Sequence, residues 1–301
     1  MRVVLDLTVY LEGPSEAELG WLLDYYESIC PPKRVAEYKI AEVQEWYPVS
    51  DPHLTESGRA AASAGERRPH LAPVRRRLQE GRAFEVTLWD GRAIDDPEGS
   101  WSFTCRRIHL RSTGLHAFAR ILVPLGSDPA LLLAAARAVA DSVALRSGHG
   151  GLAFTYDPWL KADAFDAIYA RARRFWGVDV EDLNATLALT AEGMKSPSWI
   201  TLVGKRFAEL REVAAGLESL RARADVVVEP RRHGTLLVAG ARPVAGDQNA
   251  PDESLAPYFA IAKALEPVLL DRSPDFEGEK FIDNANTVGW MRRFLDPGGW
   301  R

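Results

Sequence analysis

Three strand-like runs, "AFEVTLWD" (83–90), "WSFTCRRIHL" (101–110) and "HAFARILVPL" (116–125), follow one another with only "DGRAIDDPEG" and "RSTG" between them. Connectors this short leave no room for a helical crossover, so the runs are expected to pair as an antiparallel meander. A second pair, "DVVVEP" (225–230) and "TLLVAG" (235–240), is joined by "RRHG" as a hairpin. This pattern argues against a doubly wound parallel sheet and predicts an α+β fold, with mainly antiparallel sheets packed against helices.

The remaining elements fill in around these strands. The chain opens with a strand from about Val3 to Leu11, followed by a helix that starts at a Ser15/Glu18 capping box. Along that helix Leu19, Leu22, Leu23, Tyr26 and Ile29 recur at helical spacing, which predicts Glu16, Asp24 and Glu27 on the water side. From about Pro48 to Arg82 the text is rich in Pro, Gly, Ser and Arg and reads as an irregular excursion with at most a short helix. A helix is expected from Pro129 to Arg146, then a strand "GLAFTY" and a helix over "DAFDAIYARARRFW". "SWITLVG" leads into one long helix with a stripe of Phe207, Leu210, Val213, Leu217 and Leu220. Helices over "LAPYFAIAKALE" and "VGWMRRFL" complete the list.

Division near residue 150 gives two similar-sized α+β halves, 1–150 and 151–301, expected to pack as one compact unit. Each begins with a strand and a helix and later holds an antiparallel pair followed by a helix. That order is compatible with a distant duplication, although no residue-level repeat supports it.

At 47% apolar residues the chain can bury a sizeable core. Asp6 interrupts the apolar opening, which argues against a signal peptide, and Arg137 and Asp141 interrupt the run Leu131 to Leu145, which is too short to span a bilayer. Cys30 and Cys105 are distant and lack ligand-like spacing, as expected of free thiols in a reducing cytoplasm. No membrane association, cofactor or metal is expected. The net charge of −5 is unevenly spread: residues 1–56 carry four Lys/Arg against eleven Asp/Glu, or −7, and residues 57–150 carry fourteen against nine, or +5. Such asymmetry can steer a charged partner.

Motifs that could carry chemistry are few. "SGHGG" (147–151) follows a predicted helix, whereas a phosphate loop must precede one. Gly148 is therefore expected as a helix C-cap, with His149 in a turn. "PDFEGEK" shares letters with metal-dependent nucleases, but Asp275 and Glu277 stand only two residues apart. "GARPVAGDQN" offers Asp247 and Asn249, as good for a turn as for a cation. His109 and His116 lack the context of a metal site. Arg67, Arg68, Arg75, Arg76 and Arg77 could meet phosphate, yet no stacking aromatics interleave them. Trp199, Tyr258, Trp290 and Phe294 are expected in the core.

The order of four unusual segments is more telling than any one of them. The SGHGG turn, the tryptophan-led strand with its LVG turn (Trp199 to Gly204), the G-x-x-P-x-x-GD segment (Gly240, Pro243, Gly246, Asp247) and the ending Trp290, Arg293, Phe294 occur in the succession found in the type VI immunity family, which the chain resembles over essentially its whole length. The resemblance implies a cytoplasmic antitoxin that binds and neutralises a cognate secreted toxin. Nucleases of the restriction-endonuclease type are among such partners. It also implies that Gly148, His149, Gly150, Gly151, Trp199, Gly204 and the other motif residues are scaffold and that no residue is catalytic.

A nuclease presents a basic surface to DNA, so the acidic residues Glu12, Glu16, Asp24 and Glu27 are the candidate toxin-binding surface. Two alternatives stay open: a hydrolase-like enzyme built around His149 or Asp247, and a nucleic-acid binder using Arg67 to Arg77. Direct nucleic-acid binding is not expected, and the oligomeric state is not legible.

Overall fold

A computed structural model describes the chain apart from residues 32–36, 41–46, 49–71, 80–83, 91–100, 111–113, 158–159, 251–253, 273–275, 277, 282–283 and 301. The fold is α+β, as the hairpin pattern requires. Ten strands form one sheet: β1 (Arg2–Glu12), β2 (Glu37–Ile40), β3 (Tyr47–Pro48), β4 (Phe84–Trp89), β5 (Ser102–Leu110), β6 (Gly114–Val123), β7 (Leu145–Thr155), β8 (Ile200–Gly204), β9 (Val226–Arg231) and β10 (Gly234–Ala239). Their spatial order is β3-β2-β4-β5-β6-β1-β7-β8-β10-β9, and every neighbouring pair is antiparallel. The meander β4-β5-β6 and the hairpin β9-β10 are both present. Pairing of β1 with β7 joins the strands from the two ends of the chain into this single sheet.

Helix α1 (Glu16–Ile29) begins at the predicted capping box, in which the Glu18 backbone N–H donates to Ser15 Oγ and the Ser15 N–H donates to Glu18 Oε2. Glu18 also accepts the Ala144 N–H at 2.8 Å, tying the start of α1 to the chain entering β7. The excursion contains the short helix α2 (Ala72–Gln79). Arg67, Arg68, Asp275 and Glu277 lie outside the described residues.

Four readings of the sequence are corrected. First, the helix α3 runs from Pro129 to Ser142 and not to Arg146, because Val143 is already extended and the chain passes directly into β7. Second, SGHGG is therefore no turn. It is the middle of β7, with Tyr10, Val9, Thr8, Leu7 and Asp6 of β1 opposite Ser147 to Gly151. Pairing with β1 on one side and β8 on the other overrides the helical tendency of the preceding Ala/Leu run. Third, the long helix breaks into α6 (Lys205–Ala208) and α7 (Arg211–Leu220), following α4 (Lys161–Ala172) and α5 (Leu183–Leu189) in the chain. Leu210 sits extended between the two pieces and is 47% exposed, so it leaves the apolar stripe. Fourth, Glu27 is buried, and Arg75 of α2 is ion-paired with both Asp24 and Glu27, the latter at 2.6 Å. The expected water-facing acidic stripe of α1 is thereby interrupted. The chain closes through α8 (Ala256–Leu265), a 3-10 turn (Glu266–Val268), α9 (Asn284–Met291) and α10 (Pro297–Trp300).

The two faces of the sheet differ chemically. Leu5, Leu7, Val9 and Leu11 of β1 join Val86, Phe103, Cys105, Ile121 and the apolar sides of α1 and α3 in the main core. On the other face a row of polar side chains crosses six strands in register: Thr87, Thr104, Arg120, Thr8, His149 and Thr201. Thr87 and Thr104 approach to 3.3 Å across strands, and Tyr10 with Phe118 packs under Leu187 of α5.

The glycines of β7 serve close approach. A Cβ on Gly148 would stand 2.8 Å from Thr8 O and 3.1 Å from both Leu202 Cδ1 and Val9 Cγ1. Gly151, at φ 151°, would press on Trp199 Cβ at 3.1 Å. Gly148→Ala is expected to cost about 1–3 kcal/mol through overpacking against backbone that cannot yield. Urea denaturation checks this, and an unchanged midpoint would show that β1 and β8 can separate.

Candidate functional site

His149 leaves the polar face of β7 between Thr8 and Thr201. Beyond the end of β8, the chain at Asp179 takes the free edge of β7: the Asp179 N–H donates to Leu152 O at 2.8 Å, and Phe154 N–H donates to Asp179 O at 2.9 Å. This places Asp179 and, two extended residues later, Glu181 on the side facing His149. The alternating Val178 and Val180 are buried as well. Lys195 arrives from a segment held by two backbone bonds, Met194 N–H to Val268 O at 2.7 Å and Leu270 N–H to Met194 O at 2.9 Å.

The result is a closed set of opposite charges. His149 Nε2 lies 3.1 Å from Asp179 Oδ2 and 3.0 Å from Glu181 Oε2. Lys195 Nζ lies 2.8 Å from Asp179 Oδ2 and 2.5 Å from Glu181 Oε2, and donates to Val180 O at 3.0 Å. Tyr10 donates its hydroxyl to Glu181 Oε2 at 3.2 Å. All five residues are buried. Beside them Arg120 is ion-paired with Asp6, which also accepts the Thr8 hydroxyl at 2.8 Å. The Asp6 that interrupts the apolar opening of the sequence thus has a structural partner 114 positions away.

The C-terminal motif meets the same place. The ring of Trp290 lies 5.4 Å from Lys195 Nζ, and the Arg293 guanidinium stacks 4.4 Å from the rings of both Trp290 and Phe294. Arg293 Nε donates to Trp176 O at 2.8 Å. Trp199 is buried and donates its indole N–H to Gly240 O, linking β8 to the loop after β10. Asp247 accepts a bidentate pair from Arg174 at 2.8 and 2.7 Å and the Asn249 N–H at 2.9 Å. This is the turn chemistry its sequence context suggests. His116 is buried with its Nδ1 3.0 Å from Arg146 Nη1.

Electrostatics follow from burial against pairing. Burial and Lys195 both push the His149 imidazole down, but the Asp179 and Glu181 carboxylates outweigh them and raise it to about 9. Burial pushes both acids up, and Lys195 with His149 overcomes this, bringing Glu181 down to about 2 and Asp179 well below the usual carboxylate range. Burial lowers Arg293 to about 10 despite the pull of Asp179.

The sequence motifs thus bring together His149, Trp290, Arg293 and Phe294, whereas Glu12, Glu16, Asp24 and Glu27 belong elsewhere. Sequence reasoning missed Asp179, Glu181, Lys195 and Tyr10. The alternation Val178-Asp179-Val180-Glu181, which throws two acids to one side of an extended chain, was the available signal. Nothing local marks Lys195. Among the described residues, His149, Asp179 and Glu181 are also a group with donor atoms within 4.8 Å of one another, as a metal centre requires.

The sequence matches the family model described as "TsiV: Type VI immunity for VRR-NUC" over residues 123–294. The chain belongs to this family. The matched range spans His149, Asp179, Glu181, Lys195 and Arg293, and Tyr10 lies before it. The fold is similar to that of "Pseudomonas aeruginosa T6SS protein PA0821", with a TM-score of 0.73, 19% identity, and coverage of 99% of this chain and 84% of that one. At that identity the likeness concerns the fold alone. Comparison with curated proteins found no match. Among the described residues no helix is long and apolar enough to cross a membrane.

Two outcomes test the charge set. Lys195→Met leaves two buried carboxylates facing one imidazolium and is expected to cost about 3–5 kcal/mol, measured by denaturant unfolding. A pH series tests the titration. His149 is raised in the folded state, so its contribution is complete below its unfolded value near 6.5 and is lost as pH rises through about 9. Glu181 is lowered, so its contribution holds above about 4.5 and is lost as pH falls toward 2. The unfolding midpoint should fall between pH 7 and 10, and His149→Gln should flatten that limb. An equally steep alkaline loss in the variant would assign it to another group.

Proposed function

We propose that this protein is an immunity protein that protects its cell by binding a VRR-NUC nuclease toxin and blocking the toxin's access to DNA. Membership of the type VI immunity family for VRR-NUC is the observation that carries this reading. A nuclease toxin acts where DNA is, so protection belongs in the cytoplasm.

The chemistry of the chain supports inhibition by contact over turnover. General acid–base catalysis needs a titrating group within reach of a substrate. His149 is only 4% exposed and committed to two carboxylates, and Asp247 is held by Arg174 and a backbone N–H. The nucleic-acid reading weakens too, because Arg75 is engaged by Asp24 and Glu27.

Proteins that block nucleases compete with DNA for a basic surface, and exposed carboxylates speed such encounters. With Glu27 buried, we assign this role to Glu12, Glu16 and Asp24, of which Asp24 remains 59% exposed beside Arg75. Glu12 stands 3.7 Å from Arg146 and 4.0 Å from Arg206, which temper its charge.

Co-expression with a VRR-NUC nuclease toxin, with the product of the gene next to its own as the first candidate, is expected to restore host growth and yield a stable complex. Rescue without a complex would point to enzymatic reversal of damage, and failure of both would sink the reading. Combined Glu12→Lys, Glu16→Lys and Asp24→Lys substitution should slow association and flatten its salt dependence while the fold is retained. Unchanged association would move the interface to another face. His149→Ala should instead lose protection together with soluble protein, since it breaks the scaffold.

A further inference from the structure

The buried charge set has the donor composition of a metal centre, with an ammonium bonded to the same two carboxylate oxygens that an ion would use. We propose that His149, Asp179 and Glu181 constitute a divalent-cation site, suited to zinc-class ions, that Lys195 keeps closed. The inference is independent of the immunity reading.

One imidazole and two carboxylates suit Zn²⁺, Co²⁺ and similar first-row ions. Here Nε2, Oδ2 and Oε2 converge within 4.8 Å of one another, and all three side chains are buried. Two further observations point to a ligand. The Nε2 of His149 points between the two acids, 3.1 Å from Asp179 Oδ2 and 3.0 Å from Glu181 Oε2, and the buried Glu181 Oε1 has no hydrogen-bond partner. A buried imidazole is normally aimed along one hydrogen bond. Aiming between two carboxylate oxygens suits a shared cation better.

Lys195 supplies that cation. Its Nζ touches the same Oδ2 and Oε2 atoms and is steadied by Val180 O and the Trp290 ring. The exchange of Lys195 for an ion conserves charge. Two negative carboxylates now face one ammonium and one imidazolium. Without the ammonium, a divalent ion bound to Nε2, Oδ2 and Oε2 restores the balance, as the Nε2 proton leaves to solvent. No oxidation or other bond change is involved.

The test uses Co²⁺, whose visible absorption reports nitrogen and oxygen ligation, with the full-length wild type, Lys195→Met, and Lys195→Met combined with His149→Gln. Lys195→Met is expected to take up one Co²⁺ per chain on the order of 100-fold more tightly than wild type, with release of one proton and a rise in its unfolding temperature as Co²⁺ is added. The double variant should return to the wild-type level. If Lys195→Met does not fold in metal-free buffer, Co²⁺ added during refolding should recover it but not the double variant. The proposal is overturned if Lys195→Met takes up no more Co²⁺ than wild type, whether folded directly or refolded with the ion. It is equally overturned if wild type binds Co²⁺ as tightly, since Lys195 would then close nothing, or if uptake survives His149→Gln.

Discussion

Two carboxylates on three consecutive residues, Asp179 and Glu181, lie under the polar face of the sheet, and four separate parts of the chain are bound to their position. Strand β7 supplies His149, β1 supplies Tyr10, the segment after α5 supplies Lys195, and the C-terminal end presents Trp290 and Arg293. Removal of such charges from water costs several kcal/mol per ion, so the arrangement is favourable only when every partner is in place. That all-or-none character makes the cluster a register device as well as an ion-pair network. A slip of β7 by one residue would send His149 to the apolar face and leave both acids short of a cation.

The same logic extends across the sheet. The apolar face is a conventional core under α1 and α3, whereas the opposite face carries a polar row from Thr87 to Thr201 that is closed at its centre by Asp6, Asp179 and Glu181. Arg120 and His149 flank Thr8 of β1 in this row, Arg120 paired with Asp6 and His149 with Asp179 and Glu181. His149, Asp179, Glu181 and Lys195 are buried here and paired with one another.

Much of the fold was legible because its signals are local. Short connectors dictated the antiparallel meander and the β9-β10 hairpin, Ser15 and Glu18 announced the first turn of α1, and the helix expected from Pro129 does begin there. The misreadings came where a local signal met a long-range partner. The run before SGHGG has helical composition, but its last residues are claimed by β1 and β8. Leu210 fits a helical stripe, yet the chain turns at it. Glu27 has the spacing of a water-facing residue, and α2 covers it.

The sequence by itself determined the fold class and the membership signalled by the order of its motifs. Tertiary structure alone decided what His149 is. An imidazole, two acids and a lysine separated by up to 46 positions have no spacing that marks them as a unit, and only the edge of β7 left free beyond β8 brings Asp179 and Glu181 to it. The physical reason is that hydrogen-bond periodicity is written in neighbouring residues, whereas the energy of a buried charge depends on which distant chains exclude water from it.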